Sequence, residues 1–185
     1  GWWLDREAWR KQAWIWRQPG RSPSDFVDQA GIGPSLLNMA LTGAIGTAYV
    51  LAVGSDLNGP TLGAIFTIVG FSAFGKHPRN IVPIMLGVFI ASMLKDWSAD
   101  DPSAVLAALF GTTLAPIAGR FGWRWGIVAG FVHSSVAQTV GQLHGGLVLY
   151  NNGFAAGLVA SILVPVIIAL QPAAKTEPGA PPGAG

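Results

Sequence analysis

The chain has 185 residues, of which 11% are charged and 51% apolar, with 25 glycines, no cysteine and a net charge of +2. A soluble domain carries roughly 25% charged residues, so this chain is too poor in charge to cover a surface in water, whereas a chain facing lipid needs no such cover. The small net charge argues against nucleic acid as a partner, and the lack of cysteine excludes disulfides, thiolate metal sites and a cysteine nucleophile.

The first residue is Gly rather than Met, and no cleavable signal sequence follows it. The chain is expected to be a fragment or a trimmed form of a longer one. Residues 1–18 are rich in Trp and Arg. On a helix, Trp2, Trp9 and Trp16 share one stripe at heptad spacing and Trp3 and Trp14 share a second, with Arg6, Arg10 and Arg17 between them. Such a helix suits the headgroup layer, where indoles and guanidinium groups both find partners. A docking helix for another subunit is the alternative. Residues 19–33 read as a linker, and Pro34 falls in the first turn of the helix that follows.

Apolar stretches then run at about 34–53, 60–75, 81–94, 102–118, 123–142 and 154–170. Most can cross a core of ~30 Å at ~1.5 Å per residue. The third would reach only about 21 Å as a helix. It either spans with Arg79 and Lys95 snorkelling to the interfaces, or it turns back. The basic residues decide between these. If the third stretch spans, Arg6, Arg10, Lys11, Arg17, Arg21, Lys76, Arg79, Arg120, Arg124 and Lys175 all lie on one side, and only Lys95 lies on the other. If it turns back, Lys95 joins the first group and Arg120, Arg124 and Lys175 leave it. The positive-inside rule prefers the first arrangement. The expected fold class is all-α: a polytopic transmembrane helix bundle of about six spans over residues 34–170. An N-terminal amphipathic interfacial helix precedes it, and a disordered Pro/Ala/Gly-rich tail follows over 171–185. The chain is expected in the cell membrane with both termini cytoplasmic. Small-residue pairs recur at Gly59/Gly63, Gly126/Gly130, Gly141/Gly145 and Gly153/Gly157, a spacing that lets helices approach closely in lipid.

Three constellations carry candidate chemistry. On the inner side, Lys76, His77 and Arg79 place basic groups beside Asn80, Pro78 and Pro83 stiffen the chain, and Pro83 suits the start of the next span. This reads either as an orienting basic loop or as an anion or headgroup site at a helix N-terminus. In the fifth stretch His133, Ser134, Ser135, Gln138, Thr139 and Gln142 form a polar run, with Ser135, Gln138 and Gln142 on one helical face. Such groups either hydrogen-bond between helices or line a solute path, with His133 as a proton-sensitive group. Asn38 and Thr42 in the first stretch could face the same interior. On the outer side, His144, Gly145 and Gly146 lead through Tyr150 to Asn151-Asn152-Gly153, a strong turn signal. The segment is either a plain turn or a loop dipping into the membrane, with Asn151 and Asn152 offering amides to a polar solute.

At GFSAFGKHPRNIVPIMLGV and GGLVLYNNGFAAGLVA the chain resembles a family of multi-pass prokaryotic membrane proteins catalogued as domain of unknown function 1576. The resemblance runs from about Gly33 to Leu170, outside the Trp-rich helix and the tail. It implies a C-terminal part of a longer protein with a preceding membrane half. It brings no catalytic or ligand residues.

The functional expectation is a transporter- or channel-like membrane protein for a small polar or anionic solute. Asn151, Asn152, Tyr150, His144, His133, Gln138, Gln142 and Asn38 would line the path, with Lys76, His77, Arg79 and Asn80 at its inner mouth. The alternative is a non-transporting scaffold or regulatory subunit. No catalytic residues, metal site or cofactor are expected: no metal-spaced cluster, G-x-S-x-G or P-loop is present in the sequence. The expected partners are the lipid bilayer, a small polar solute, and a missing N-terminal half or an oligomer partner.

Overall fold

The computed structural model describes residues 8–21, 24–140 and 148–171, with the backbone alone for 148–150. Among these residues the chain is all-helical, with no strand. The Trp-rich end forms α1 (Ala8–Ile15), and a short α2 (Phe26–Ala30) follows it. The apolar stretches form α3 (Ile32–Ala52), α4 (Gly59–Phe71), α5 (Pro78–Leu94), α6 (Pro102–Gly111) with α7 (Ala115–Phe121), α8 (Trp123–Val140) and α9 (Val148–Leu170). Three segments are long and apolar enough to cross a membrane: Ile32–Ala52, Pro102–Phe121 and Asn151–Leu170. Gly59–Phe71 and Pro78–Leu94 are shorter apolar helices. Several apolar helices of this kind are compatible with a membrane protein.

The boundaries correct several sequence expectations. The expected linker contains α2, because Asp25 caps it by accepting from the backbone N–H groups of Val27 and Asp28. Helix α5 starts at Pro78 rather than at residue 81, so its 17 residues reach about 25 Å. Pro78 tolerates the first helical position, and Asn80 reaches back to the N–H of His77. Pro83 accordingly lies inside α5, not at its start. The fourth stretch is not one α-helix: a 3-10 turn, Thr112–Leu114, separates α6 from α7. Asn151-Asn152-Gly153 is helical rather than a turn. Local turn propensity there yields to the apolar run behind it, which gains by continuing the helix and satisfying its own backbone. Trp2, Trp3, Arg6, Gln142, His144, the Gly141/Gly145 pair and the tail lie outside the described residues.

The N-terminal segment packs on the bundle. Gln12, on the buried face of α1, donates to the carbonyl of Pro34 at the start of α3. Ile15, Phe26 and Ala30 form a small core beneath, with Trp16 against it. Trp9 and Trp14 face outward, and Trp14 meets Phe26 edge-on at 6.4 Å.

The tightest helix pair is α5 with α8, and glycine makes it possible. A Cβ on Gly130 would stand 2.0 Å from the carbonyl oxygen of Ile84, and one on Gly87 would stand 2.1 Å from that of Ile127. A Cβ on Gly126 would meet side chains instead, Ala118 Cβ of α7 at 2.7 Å and Pro83 Cβ of α5 at 2.8 Å. Small residues at this spacing therefore let α8 approach the backbone of α5 at Gly130 and the side chains beside it at Gly126. Gly59, Gly63, Gly153 and Gly157 have open space where a Cβ would go. Gly130→Ala should destabilise the fold by about 2 kcal/mol or more, because backbone cannot yield as a side chain can. Gly157→Ala should be neutral or stabilising by up to ~1 kcal/mol. Thermal unfolding of the two variants in neutral detergent separates these outcomes. Equal melting temperatures would show that the α5–α8 contact is not close.

Candidate functional site

Side chains from three directions fix the connection between α4 and α5. Asn38, fully buried on α3, donates through Nδ2 to the carbonyls of Ser72 and Lys76, both at 2.8 Å. Thr42, one turn on, donates to Ser72 Oγ at 2.8 Å. Asn80 donates to the carbonyl of Gly75 at 2.9 Å and accepts from the N–H of His77 at 2.9 Å. His77 Nε2 donates to the carbonyl of Gln18 at 2.9 Å, which ties the connection to the N-terminal segment. Gly75, at φ +120°, and Gly20, at φ +68°, meet backbone to backbone, and a Cβ on Gly20 would lie 2.6 Å from the carbonyl oxygen of Gly75.

This frame turns Lys76 inward. Its side chain is only 8% exposed, and Nζ donates to Thr112 Oγ1 at 2.8 Å and stands 5.3 Å from the ring centre of Phe71. Thr112 sits where the central helix breaks. Pro116 has no N–H to give to the carbonyl four residues back, and the N–H of Ala115 supplies a tighter bond to Thr112 O instead. The hydroxyl of Thr112 in turn donates to the carbonyl of Leu109 at 2.6 Å.

Beside the break lies a cavity of about 310 Å³, lined by Gly20, Phe71, Phe74, Lys76, Thr112 and Thr113. A second cavity of about 200 Å³ shares Thr113 and Pro116 with it and adds Arg21 and Arg120. A third, apolar cleft of about 420 Å³ between α3 and α5 is lined by residues including Tyr49, Met85 and Phe89.

The electrostatics of the first cavity are one-sided. An ammonium group has three donors, and no carboxylate pairs with Lys76 among the described residues. Loss of water pulls the pKa of Lys76 from 10.5 down to about 8, so it stays mostly charged at neutral pH. Burial likewise pushes His77 from 6.5 down to about 4, with the charge of Arg79 acting in the same direction and the bond to the Gln18 carbonyl opposing them. His77 is therefore neutral, a structural donor rather than a second cation.

The structure divides the expected site residues. Lys76 lines the cavity, His77 and Asn80 hold the backbone that aims it, and Arg79 is exposed. Asn38 belongs to this frame through Nδ2, which donates to Ser72 and Lys76, while its Oδ1 is buried with no hydrogen-bond partner among the described residues. His133 is buried mid-way along α8, against Gly111 of α6, and Nε2 donates to Asn152 Oδ1 on α9 at 3.2 Å. Asn151 is buried beside Asn152. Ser134 Oγ, Gln138 Nε2 and Asn151 Oδ1 are buried with no hydrogen-bond partner among the described residues. Ser135 is drawn off to Lys95, whose ammonium donates to it and lies 4.8 Å from the ring centre of Phe131. Tyr150 is in the first turn of α9 by its backbone. None of the three cavities above is lined by His133, Gln138, Asn151 or Asn152. Sequence reasoning missed Thr112, Thr113 and the break. The signal was Pro116 inside an apolar run, four residues after a threonine.

A family model for proteins of unknown function, DUF1576, matches residues 4–169. The chain belongs to the DUF1576 family. The match takes in the Trp-rich α1, which the sequence reading had left outside the resemblance, and α1 in turn is packed on α3 through Gln12. No curated protein and no solved structure matches the chain.

Two pH effects follow from burial. His77 binds its proton less readily folded than unfolded, so between pH 6.5 and about 4 the unfolded chain takes up more protons and stability falls with acid. The loss is on the order of 2–3 kcal/mol at full protonation of the unfolded state. Lys76 is also depressed, so stability rises again from pH 8 towards 10.5 as the unfolded chain alone remains protonated. Unfolding in detergent from pH 4 to 10 should show both slopes. His77→Gln should flatten the acid limb and Lys76→Met the alkaline limb, each leaving the other in place.

Proposed function

We propose that this DUF1576 chain is an integral membrane protein of the cell membrane that admits a small anion at its cytoplasmic side, as part of a transporter- or channel-like activity. In this reading the chain crosses the bilayer six times with both termini cytoplasmic, as the one-sided distribution of basic residues favours. The carrying observation is Lys76. Its ammonium is buried against a cavity of about 310 Å³, bonded to one hydroxyl and paired with no carboxylate among the described residues. Burying a charge costs several kcal/mol unless another charge or several dipoles compensate it. An anion in the cavity supplies that charge, and the Thr113 hydroxyl at the broken helix supplies a donor, that of Thr112 being given to Leu109. Irregular backbone at membrane depth is tolerated where it lines such a cavity.

The unpartnered polar atoms of Ser134, Gln138 and Asn151 support polar solute contact further along the bundle. The pairing of His133 with Asn152 favours a second reading, a non-transporting scaffold whose buried polar groups only knit α6, α8 and α9. Among the described residues no nucleophile–base pair accompanies Lys76, and we propose a non-enzymatic role.

A panel of small anions, including phosphate, chloride, formate and acetate, tests the site by thermal shift of the purified chain, since a ligand that binds the folded state raises its stability. At least one should raise the melting temperature, by about 2.7 kcal/mol of stability at a hundredfold excess over Kd. The shift should vanish in Lys76→Met and weaken in Thr112→Val. Flux of that anion into liposomes then separates transport from binding alone. A panel without any Lys76-dependent shift would remove the basis for the anion reading.

A further inference from the structure

The second cavity lies on the outside of the bundle, and its chemistry differs from that of the Lys76 site. Two guanidinium groups, Arg21 on the N-terminal segment and Arg120 in the last turn of α7, line one part of it. Ile117 and Phe121 of α7 and Ala160 and Val164 of α9 line the rest. Arg120 lies over the ring of Phe121 at 4.8 Å, which holds its plane against the apolar wall. Both arginines are exposed, and neither pairs with a carboxylate among the described residues. Ile168, one turn beyond Val164 on α9, is an exposed apolar side chain of a helix long enough to cross a membrane. The groove therefore opens onto the surface that faces lipid tails, with its basic end at one extremity of α7.

We infer that this groove binds the phosphate of an anionic phospholipid. Arg21 and Arg120 hold the phosphate oxygens, for which the planar guanidinium fork is suited. An acyl chain lies along Ile117, Phe121, Ala160 and Val164. A free anion uses the charge but gains nothing from the apolar wall, so the fit is to a molecule that has both. Basic pockets between membrane helices on the cytoplasmic side hold headgroups in this way, and the same face is cytoplasmic in the topology proposed above. The lipid would clasp the N-terminal segment to α7, where a Cβ on Gly119 would lie 2.3 Å from the carbonyl oxygen of Pro19.

Native mass spectrometry of the full chain, released from phosphatidylcholine micelles containing graded phosphatidylglycerol, tests this. Wild type should retain one phosphatidylglycerol in preference to phosphatidylcholine. Arg21→Gln and Arg120→Gln should each weaken retention roughly fivefold, and together about 25-fold. Ala160→Trp, which fills the apolar end, should displace the lipid while leaving both charges. Lys76→Met should retain it, which separates this site from the anion cavity. Arg124→Gln, at an exposed arginine outside the groove, should also retain it. Unchanged retention in Ala160→Trp and in the double variant overturns the proposal. So does loss in Arg124→Gln equal to that in Arg120→Gln, which would mark a general surface attraction. Competition by inorganic phosphate as effective as that by phosphatidylglycerol would mark a free-anion site and overturn it too. If the double variant melts early in phosphatidylcholine alone, Ala160→Trp and competition on wild type decide.

Discussion

Pro116 denies the central helix one amide donor, and the candidate site is arranged around that loss. A membrane helix satisfies its backbone within itself, so a missing donor in its middle must be answered by other groups. Here the answer is local. The chain tightens through Thr112–Leu114, Ala115 takes up the carbonyl of Thr112, and the threonine hydroxyl covers the carbonyl of Leu109. That tightening leaves Thr112 and Thr113 at a cavity wall rather than in helix packing. The Thr112 hydroxyl, donated to its own preceding turn at Leu109, keeps a lone pair with which it accepts from Lys76.

Lys76 would not reach that partner without the frame around it. A flexible loop would let a lysine escape to water, since its long stem makes snorkelling cheap. Asn38, Thr42 and Asn80 remove that freedom by bonding the loop backbone at Ser72, Lys76 and Gly75. The N-terminal segment closes the remaining side through Gly20 and the bond from His77 to Gln18. A neutral His77 fits this work better than a charged one, because two adjacent buried cations would repel each other. The depressed pKa values of both groups share one cause, loss of water.

Much of the fold was legible in the sequence because apolar runs and basic gaps are long-range, redundant signals. Each apolar stretch forms helix over most of its described length, although the second ends at Phe71 and the fourth is broken at Thr112–Leu114, and Gly126 and Gly130 are closely packed as their spacing implies. What misled were local signals in competition with tertiary ones. Asn151-Asn152-Gly153 has the composition of a turn, yet its side chains find a buried setting on α9, and Asn152 finds His133. His77 and Arg79 look like equal members of a basic loop, yet one is buried and neutral and the other exposed. Gly153/Gly157 has the same spacing as Gly126/Gly130 and meets nothing. Spacing states that two backbones could meet; only the partner helix decides whether they do. Thr112 was hidden for a related reason: its role depends on Lys76, 36 residues away, and on a proline whose effect is felt a turn earlier.

The basic residues also separate into kinds that a count of charges treats as one. In the proposed topology Arg79, which is exposed, would suffice as an orienting charge, for which position relative to the membrane is all that matters. Arg21 and Arg120 orient equally well but share a groove with an apolar wall. Lys76 contributes to orientation at a cost, because its ammonium has given up water for one hydroxyl and an aromatic face. If orientation were its only task, an exposed lysine would serve without that cost. The burial of Lys76 is thus the part of the charge pattern that the proposed topology does not explain, and the proposed binding of an opposite charge would.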